Sequence, residues 1–239
     1  AEWQIPLKGK KVFDCTTGKL RDRTSGDFFR FEVNFKLVIP DTKKAIWDDI
    51  MDAKAAPKSD AEILETVESL KKLFPDAMEL FLSPFQNPLN AYDLLRAFGS
   101  CFSRKNMKHA YFIYGPTAAT KTTIKTAWSH LFTRLFGTSK PAAWQTEQFA
   151  QANAHTAQLC GWEGKMLIVT DEIPPHMSLA IDKFKNYLSQ RAYVRVRAPH
   201  AKEEHDMAIN FQFFFIFNGG DVPRFDANAA ELTRRMAVF

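Results

Sequence analysis

Tyr111-Phe112-Ile113-Tyr114-Gly115-Pro116-Thr117-Ala118-Ala119-Thr120-Lys121-Thr122-Thr123 is the stretch that decides the fold. A short apolar run of strand length passes through a tight loop into a helix, which the pattern predicts to extend to about Phe136 and stop at Gly137. The loop is one residue away from G-x-x-x-x-G-K-[S/T]. In that pattern backbone N–H groups and the helix dipole face a phosphate, and a Lys and a hydroxyl complete the site. On this reading Gly115, Thr117, Ala119, Thr120 and Thr123 line the loop and helix entry, Lys121 holds β- and γ-phosphates, and Thr122 holds Mg²⁺. Thr120 stands where the second Gly belongs, so a side chain occupies a place of close backbone approach. The ordinary alternative is a strand-to-helix turn with a solvated Lys.

Two more apolar runs end in polar residues. Met166 to Thr170 leads into Asp171-Glu172, where one carboxylate suits the metal and the next suits activation of a water. Phe213 to Phe217 leads into Asn218-Gly219-Gly220-Asp221-Val222-Pro223, and an amide at a strand end can contact a γ-phosphate and orient that water. Arg234-Arg235 precedes Met236 to Phe239 and can act as an arginine finger on a neighbouring subunit. Taken singly, the acids read equally well as helix-entry residues, the Asn as a turn residue and the Arg pair as solvated. Their order at the ends of buried runs favours an NTPase. Alternation of strand, loop and helix from about Met107 onward predicts a parallel α/β sheet.

Outward from this block the pattern changes. Val12 to Cys15 and Leu20 to Asp22 flank a turn, and Phe29 to Ile39 alternates as a half-buried strand. Ser59-Asp60-Ala61-Glu62 has the form of a capping box ahead of a helix that ends at Pro75. Further helices are predicted over Asp76 to Leu82 and over Leu89 to Phe98, the latter ending at Gly99. Three regions follow: a β-rich segment 1–42, a small helical domain 43–106 and the P-loop core 107–239. Within the core, Ser178 to Leu188 reads as a helix bearing Lys183 and Lys185. Tyr193 to Arg197 reads as a strand and Ala198 to Asp206 as a polar tip, followed by a strand from Ala208. Lys185, Arg195, Arg197, His200 and Lys202 can track a phosphate backbone, although Glu203, Glu204 and Asp206 dilute the charge and an ordinary exposed hairpin fits equally well.

Composition limits the alternatives. The 239 residues carry 32 Lys+Arg against 27 Asp+Glu, a net charge of +5, with 46% hydrophobic and 25% charged residues, which describes a folded domain and not a disordered chain. Ten Gly and 22 Phe point to regular elements with bulky aromatic packing. Cys15, Cys101 and Cys160 are far apart without metal-ligand spacing and read as core thiols. With no signal segment and no run long enough to span a bilayer, an intracellular soluble protein is expected. Because it opens at Ala1 without a Met, the sequence is expected to be a piece of a longer chain.

The order GPTAATKTT, IVTDE, a basic segment, FIFNGGDVP and LTRRM resembles the superfamily III helicases, most closely the primase-helicases of poxviruses, phages and plasmids. The likeness extends over nearly the whole chain and is best over 107–239. It implies an AAA+ core, ATP and Mg²⁺ bound at Lys121, Thr122 and Asp171, catalysis by Glu172, Asn218 and a trans-acting Arg234 or Arg235, and a hexameric ring with the basic hairpin facing a central channel. The partners implied are single-stranded or forked DNA and an upstream primase or polymerase domain, and the location is a replication fork in the host cytoplasm. Thr120, and Ser189-Gln190 where many members carry a Gly-Gly-Asp-like turn, depart from the family pattern. Two rivals remain. Thr120 favours a nucleotide- and DNA-binding ring scaffold with little turnover. A P-loop small-molecule kinase is disfavoured by the segments before the P-loop and by the Asn-terminated strand followed by Arg-Arg.

Overall fold

The computed structural model describes residues 4–14, 17, 19–27, 32, 40–52, 59–85, 87–103, 107–116, 120–144, 158–170, 173–174, 177–189, 193–219, 224–225 and 233–239. The chain forms two compact units, Ala1–Ser103 with Thr126–Thr133, and Arg104–Lys125 with Arg134–Phe239. The expected strand over Phe29 to Ile39 lies outside the described residues, apart from Glu32.

In the first unit, β1 (Gln4–Leu7), β2 (Lys11–Asp14) and β3 (Lys19–Asp22) form an antiparallel meander, with Ile5, Leu7 and Val12 buried. Among the described residues, the α-helices α1 (Lys44–Asp52), α2 (Asp60–Leu73), α3 (Pro75–Leu82) and α4 (Pro88–Ser100) follow. Ser59 caps α2 as its sequence form requires, its side-chain oxygen accepting the Glu62 N–H at 3.3 Å. The helix α4 runs through Gly99 instead of ending there. A Cβ at Gly99 would meet nothing within 4 Å, so this Gly is an ordinary mid-helix residue with only its propensity cost.

The second unit is built on a five-stranded sheet, every neighbouring pair parallel, in the order β12 (Met236–Val238), β4 (Ala110–Gly115), β10 (Gln212–Asn218), β6 (Leu167–Thr170), β5 (Phe136–Ser139). The fold is α/β with a P-loop core. β4, β6 and β10 are buried almost throughout, as unbroken apolar runs in a sheet covered on both faces require. On one face the Trp144 ring sits 4.7, 4.8 and 4.9 Å from the rings of Phe184, Phe213 and Phe215. On the other, Tyr111 stacks on Phe214 at 4.8 Å. Burial of these rings is what holds the strands in one layer. Cys101 is buried and Cys160 half-buried, and burial pushes both thiols up.

Three sequence expectations change here. The helix after the P-loop, α5 (Lys121–Phe132), stops before Phe136, because Thr133 has φ 46° and opens a 3-10 turn to Leu135. Phe136 to Ser139 is then strand β5, with Gly137 inside it. The reason for glycine is lateral: a Cβ at Gly137 would lie 2.6 Å from Ile168 Cδ1 and 3.2 Å from Lys165 Cγ. The expected helix from Ser178 is also shorter. Ser178–Leu179 is a strand, β7, paired in parallel with β11 (Arg224–Phe225), and α6 spans Ile181–Tyr187. The Ala180 N–H donates to Trp144 O at 2.7 Å and so starts α6 only after that residue. Lastly, His205 and Asp206 belong to strand β9 (His205–Ala208), antiparallel to β8 (Tyr193–Val196), and β9 is separate from β10.

Gly137→Ala is expected to lower unfolding free energy by about 1–2 kcal/mol through overpacking against buried Ile168. Ile168→Val, which removes the obstructing Cδ1, should cost less in that background than alone. Chemical denaturation of the four-variant cycle checks this, and additive costs would contradict it.

Candidate functional site

The strand order brings together what the sequence separates. β10 lies between β4 and β6, with Asn218 in register beside Gly115 and Phe215 beside Thr170. The C-terminal ends of the P-loop strand, the Asn strand and the acid-bearing strand therefore share one edge of the sheet, where α/β proteins place their ligands.

Lys121 is the first residue of α5 and only 9% exposed. Its Nζ donates to Gly115 O at 2.9 Å and to Pro116 O at 2.6 Å. The Gly219 N–H donates to the same Gly115 carbonyl at 2.8 Å. One carbonyl thus ties the lysine, the end of β4 and the turn after Asn218 to each other. A Cβ at Gly219 would stand 3.6 Å from the Gly115 carbonyl carbon and oxygen, ordinary contact, so this glycine is not demanded by space. Thr122 and Thr123 are exposed in the first turn of α5, where backbone N–H groups have no helical partner. An ammonium held near backbone, two exposed threonines and a helix N-terminus suit a phosphate-bearing ligand with its Mg²⁺.

Thr120 precedes α5 and its carbonyl accepts the Ile124 N–H at 2.9 Å. Its φ is 34°, in the left-handed region that glycine enters freely and a β-branched residue enters with strain. The second Gly of the P-loop pattern is therefore a conformational requirement as well as a matter of phosphate access. This chain keeps the backbone shape and carries the strain.

Several site residues from the sequence lie outside the described residues: Thr117, Ala119, Asp171 and Glu172. Thr170, the last residue of β6, is fully buried, and its Oγ1 has no hydrogen-bond partner among the described groups. Sequence reasoning did not single it out, because a Thr closing an apolar strand looks like packing. Gly219 was missed as well, since its bond to Gly115 depends on strand order.

Arg234 and Arg235 are not brought to this edge. They close the 3-10 turn Thr233–Arg235 ahead of β12, and Met236 pairs with Ala110, at the opposite end of β4 from Gly115. That is about 16 Å along the strand, so neither reaches the Lys121 edge of its own chain. Arg235 Nη1 donates to Lys185 O at 3.0 Å, while Arg234 is exposed. Among the basic residues, Lys185 lies in the last turn of α6 and is half-buried. Arg195 is on β8, with Nε 3.6 Å from Asp206 Oδ1 across the hairpin. Arg197, His200 and Lys202 are exposed in the connection between β8 and β9, where His200 has φ 64°. Among the described residues no group of three His, Cys, Asp or Glu is placed to hold a metal, and no helix is long and apolar enough to cross a membrane.

No family model matches the chain, and no curated protein does. Among solved structures it is similar to apo structures of the NrS-1 C-terminal region. One A-form structure has 15% identity and TM-score 0.40 over 80% of this chain and 39% of that one. A second A-form structure has 16% identity and TM-score 0.38 over 74% and 36%, and a further apo structure 15% and 0.37 over 79% and 40%. The chain thus spans about two fifths of the length of these structures. The likeness is distant, and function is read from the site's own geometry.

Thr120→Gly is expected to leave the thermal midpoint unchanged or to raise it. Release of about 1–2 kcal/mol of left-handed strain outweighs the roughly 0.4–1 kcal/mol of added chain entropy. Thr122→Gly, two residues further on in ordinary helical backbone, should lower it. Melting followed by circular dichroism decides, and a lower midpoint for Thr120→Gly would contradict the strain argument.

Proposed function

We propose that the chain is the ATP-dependent DNA helicase or translocase motor of a replicative primase-helicase, with 107–239 as its P-loop core and a small β-rich segment and helical domain ahead of it. The observation that carries this reading is Lys121, seated on the Gly115 and Pro116 carbonyls at the C-terminal edge of a parallel sheet, beside Asn218. There Lys121 binds β- and γ-phosphates, Thr122 and Asp171 hold Mg²⁺, Glu172 takes a proton from the attacking water, and Asn218 orients that water. Bringing Lys121 to the phosphates means exchanging two hydrogen bonds to neutral carbonyls for hydrogen-bonded ion pairs with anionic oxygens, which favours the bound state.

The position of the Arg pair at the far end of β4 supports action between subunits. Arg234 or Arg235 then serves a neighbour's nucleotide in a hexameric ring, and hydrolysis at each interface moves Lys185, Arg195, Arg197, His200 and Lys202 against a DNA strand. A second reading has one observation in its favour. The strained Thr120 side chain beside the phosphate path suits a ring that binds nucleotide and DNA, organises a linked primase or polymerase, and turns over slowly.

Mg²⁺-dependent ATP hydrolysis, with and without single-stranded DNA and with the oligomeric state recorded, tests the proposal. DNA-stimulated turnover that Lys121→Ala reduces by about 100-fold or more is the result expected of a motor. Binding of ATP by an assembled ring with no turnover, restored by Thr120→Gly, would replace the motor with the scaffold.

A further inference from the structure

The β8–β9 hairpin separates its residues by face. Val196 and Met207 are buried and Val194 packs against the core cluster. Tyr193, Arg195, Asp206 and Ala208 alternate to the outside, with Tyr193 opposite Ala208 and Arg195 opposite Asp206. Tyr193 is 65% exposed, more than any other exposed large apolar side chain among the described residues. Its cross-strand partner is a single methyl group, too small to cover the ring. Arg195 follows on the same face, and exposed Arg197 follows just past the strand end.

We propose that this outward face binds single-stranded nucleic acid, with Tyr193 as the platform on which one base stacks and Arg195 and Arg197 on adjoining phosphates. The inference rests on the nucleic-acid part of the proposed function and adds to it a base-stacking residue, Tyr193. An exposed phenol ring offers a flat apolar surface to any base, and a guanidinium beside it supplies the charge complement of the backbone. A duplex cannot use such a platform because its bases already cover each other's faces. Asp206 does not block the site. Its pairing with Arg195 is long, at 3.6 Å, with the two side chains 71% and 61% exposed, a pair that contributes little and that a phosphate can displace.

The test compares a fluorescein-labelled 15-mer of thymidine with an abasic 15-mer of equal charge, by anisotropy at two salt concentrations. Wild type should bind the thymidine strand at least about fivefold more tightly than the abasic one. Tyr193→Ala should erase that preference and leave the salt dependence unchanged. Tyr193→Phe should keep it, and Arg197→Ala should weaken both ligands and reduce the salt slope. Equal affinity of wild type for the two strands, or a preference that survives Tyr193→Ala, overturns the stacking platform while leaving the motor standing. Failure of wild type to bind either strand overturns the platform and the nucleic-acid reading together.

Discussion

The Gly115 carbonyl takes two donors, the Lys121 ammonium and the Gly219 N–H. Much of the second unit is arranged around that fact. Gly115 ends β4, Gly219 follows the end of β10, and Lys121 begins α5, so one oxygen joins two strand ends and a helix start. The bond from Gly219 is possible only because β10 is inserted next to β4 in register, with Asn218 beside Gly115. The bond from Lys121 is possible because α5 begins within reach of the end of β4, directly after Thr120 at φ 34°. A phosphate arriving here meets a lysine already desolvated to 9% exposure and held within reach, so little ordering cost remains.

Packing keeps that edge level. The rings of Phe112 and Phe215 stack at 4.8 Å across β4 and β10, and Trp144 and Phe184 close over them. A second stacked pair on the opposite face, Tyr111 against Phe214, leaves no room for one strand to slide past the other. Gly137 extends the argument to the other side of the sheet, because β5 approaches Ile168 more closely than a methyl group permits. The site's precision therefore derives from a core whose rows were visible as Phe-rich runs.

Legibility followed physical range. β4, β6 and β10 could be read because strands buried on both faces are written as unbroken apolar runs, and α2 could be read because its cap is a local bond between Ser59 and Glu62. The sequence pattern extends the preceding helix into β5. Four residues containing a Gly carry no period, and the helix stop at Thr133 is a backbone conformation without a sequence signature. The short strand β7 was hidden in the same way. At the site, Lys121, Thr122 and Asn218 were legible as types at strand ends, but their neighbourhood was not. Strand order decides that Asn218 meets Gly115, that Gly219 bonds to it, and that Arg235 meets Lys185 O instead. Thr120 departs from the P-loop pattern, and its left-handed backbone gives the departure a physical meaning.

The central claim is that the edge around Gly115 is a nucleotide-phosphate site. Calorimetric titration of ATP, ADP and AMP into the chain, in Mg²⁺, with Lys121→Met as the comparison, addresses it most directly. The account predicts that affinity rises with each added phosphate from AMP to ATP, and that Lys121→Met, folded as judged by its melting curve, loses about tenfold or more for ATP and little for AMP. Equal binding of the three nucleotides, or an ATP affinity indifferent to Lys121, would contradict it.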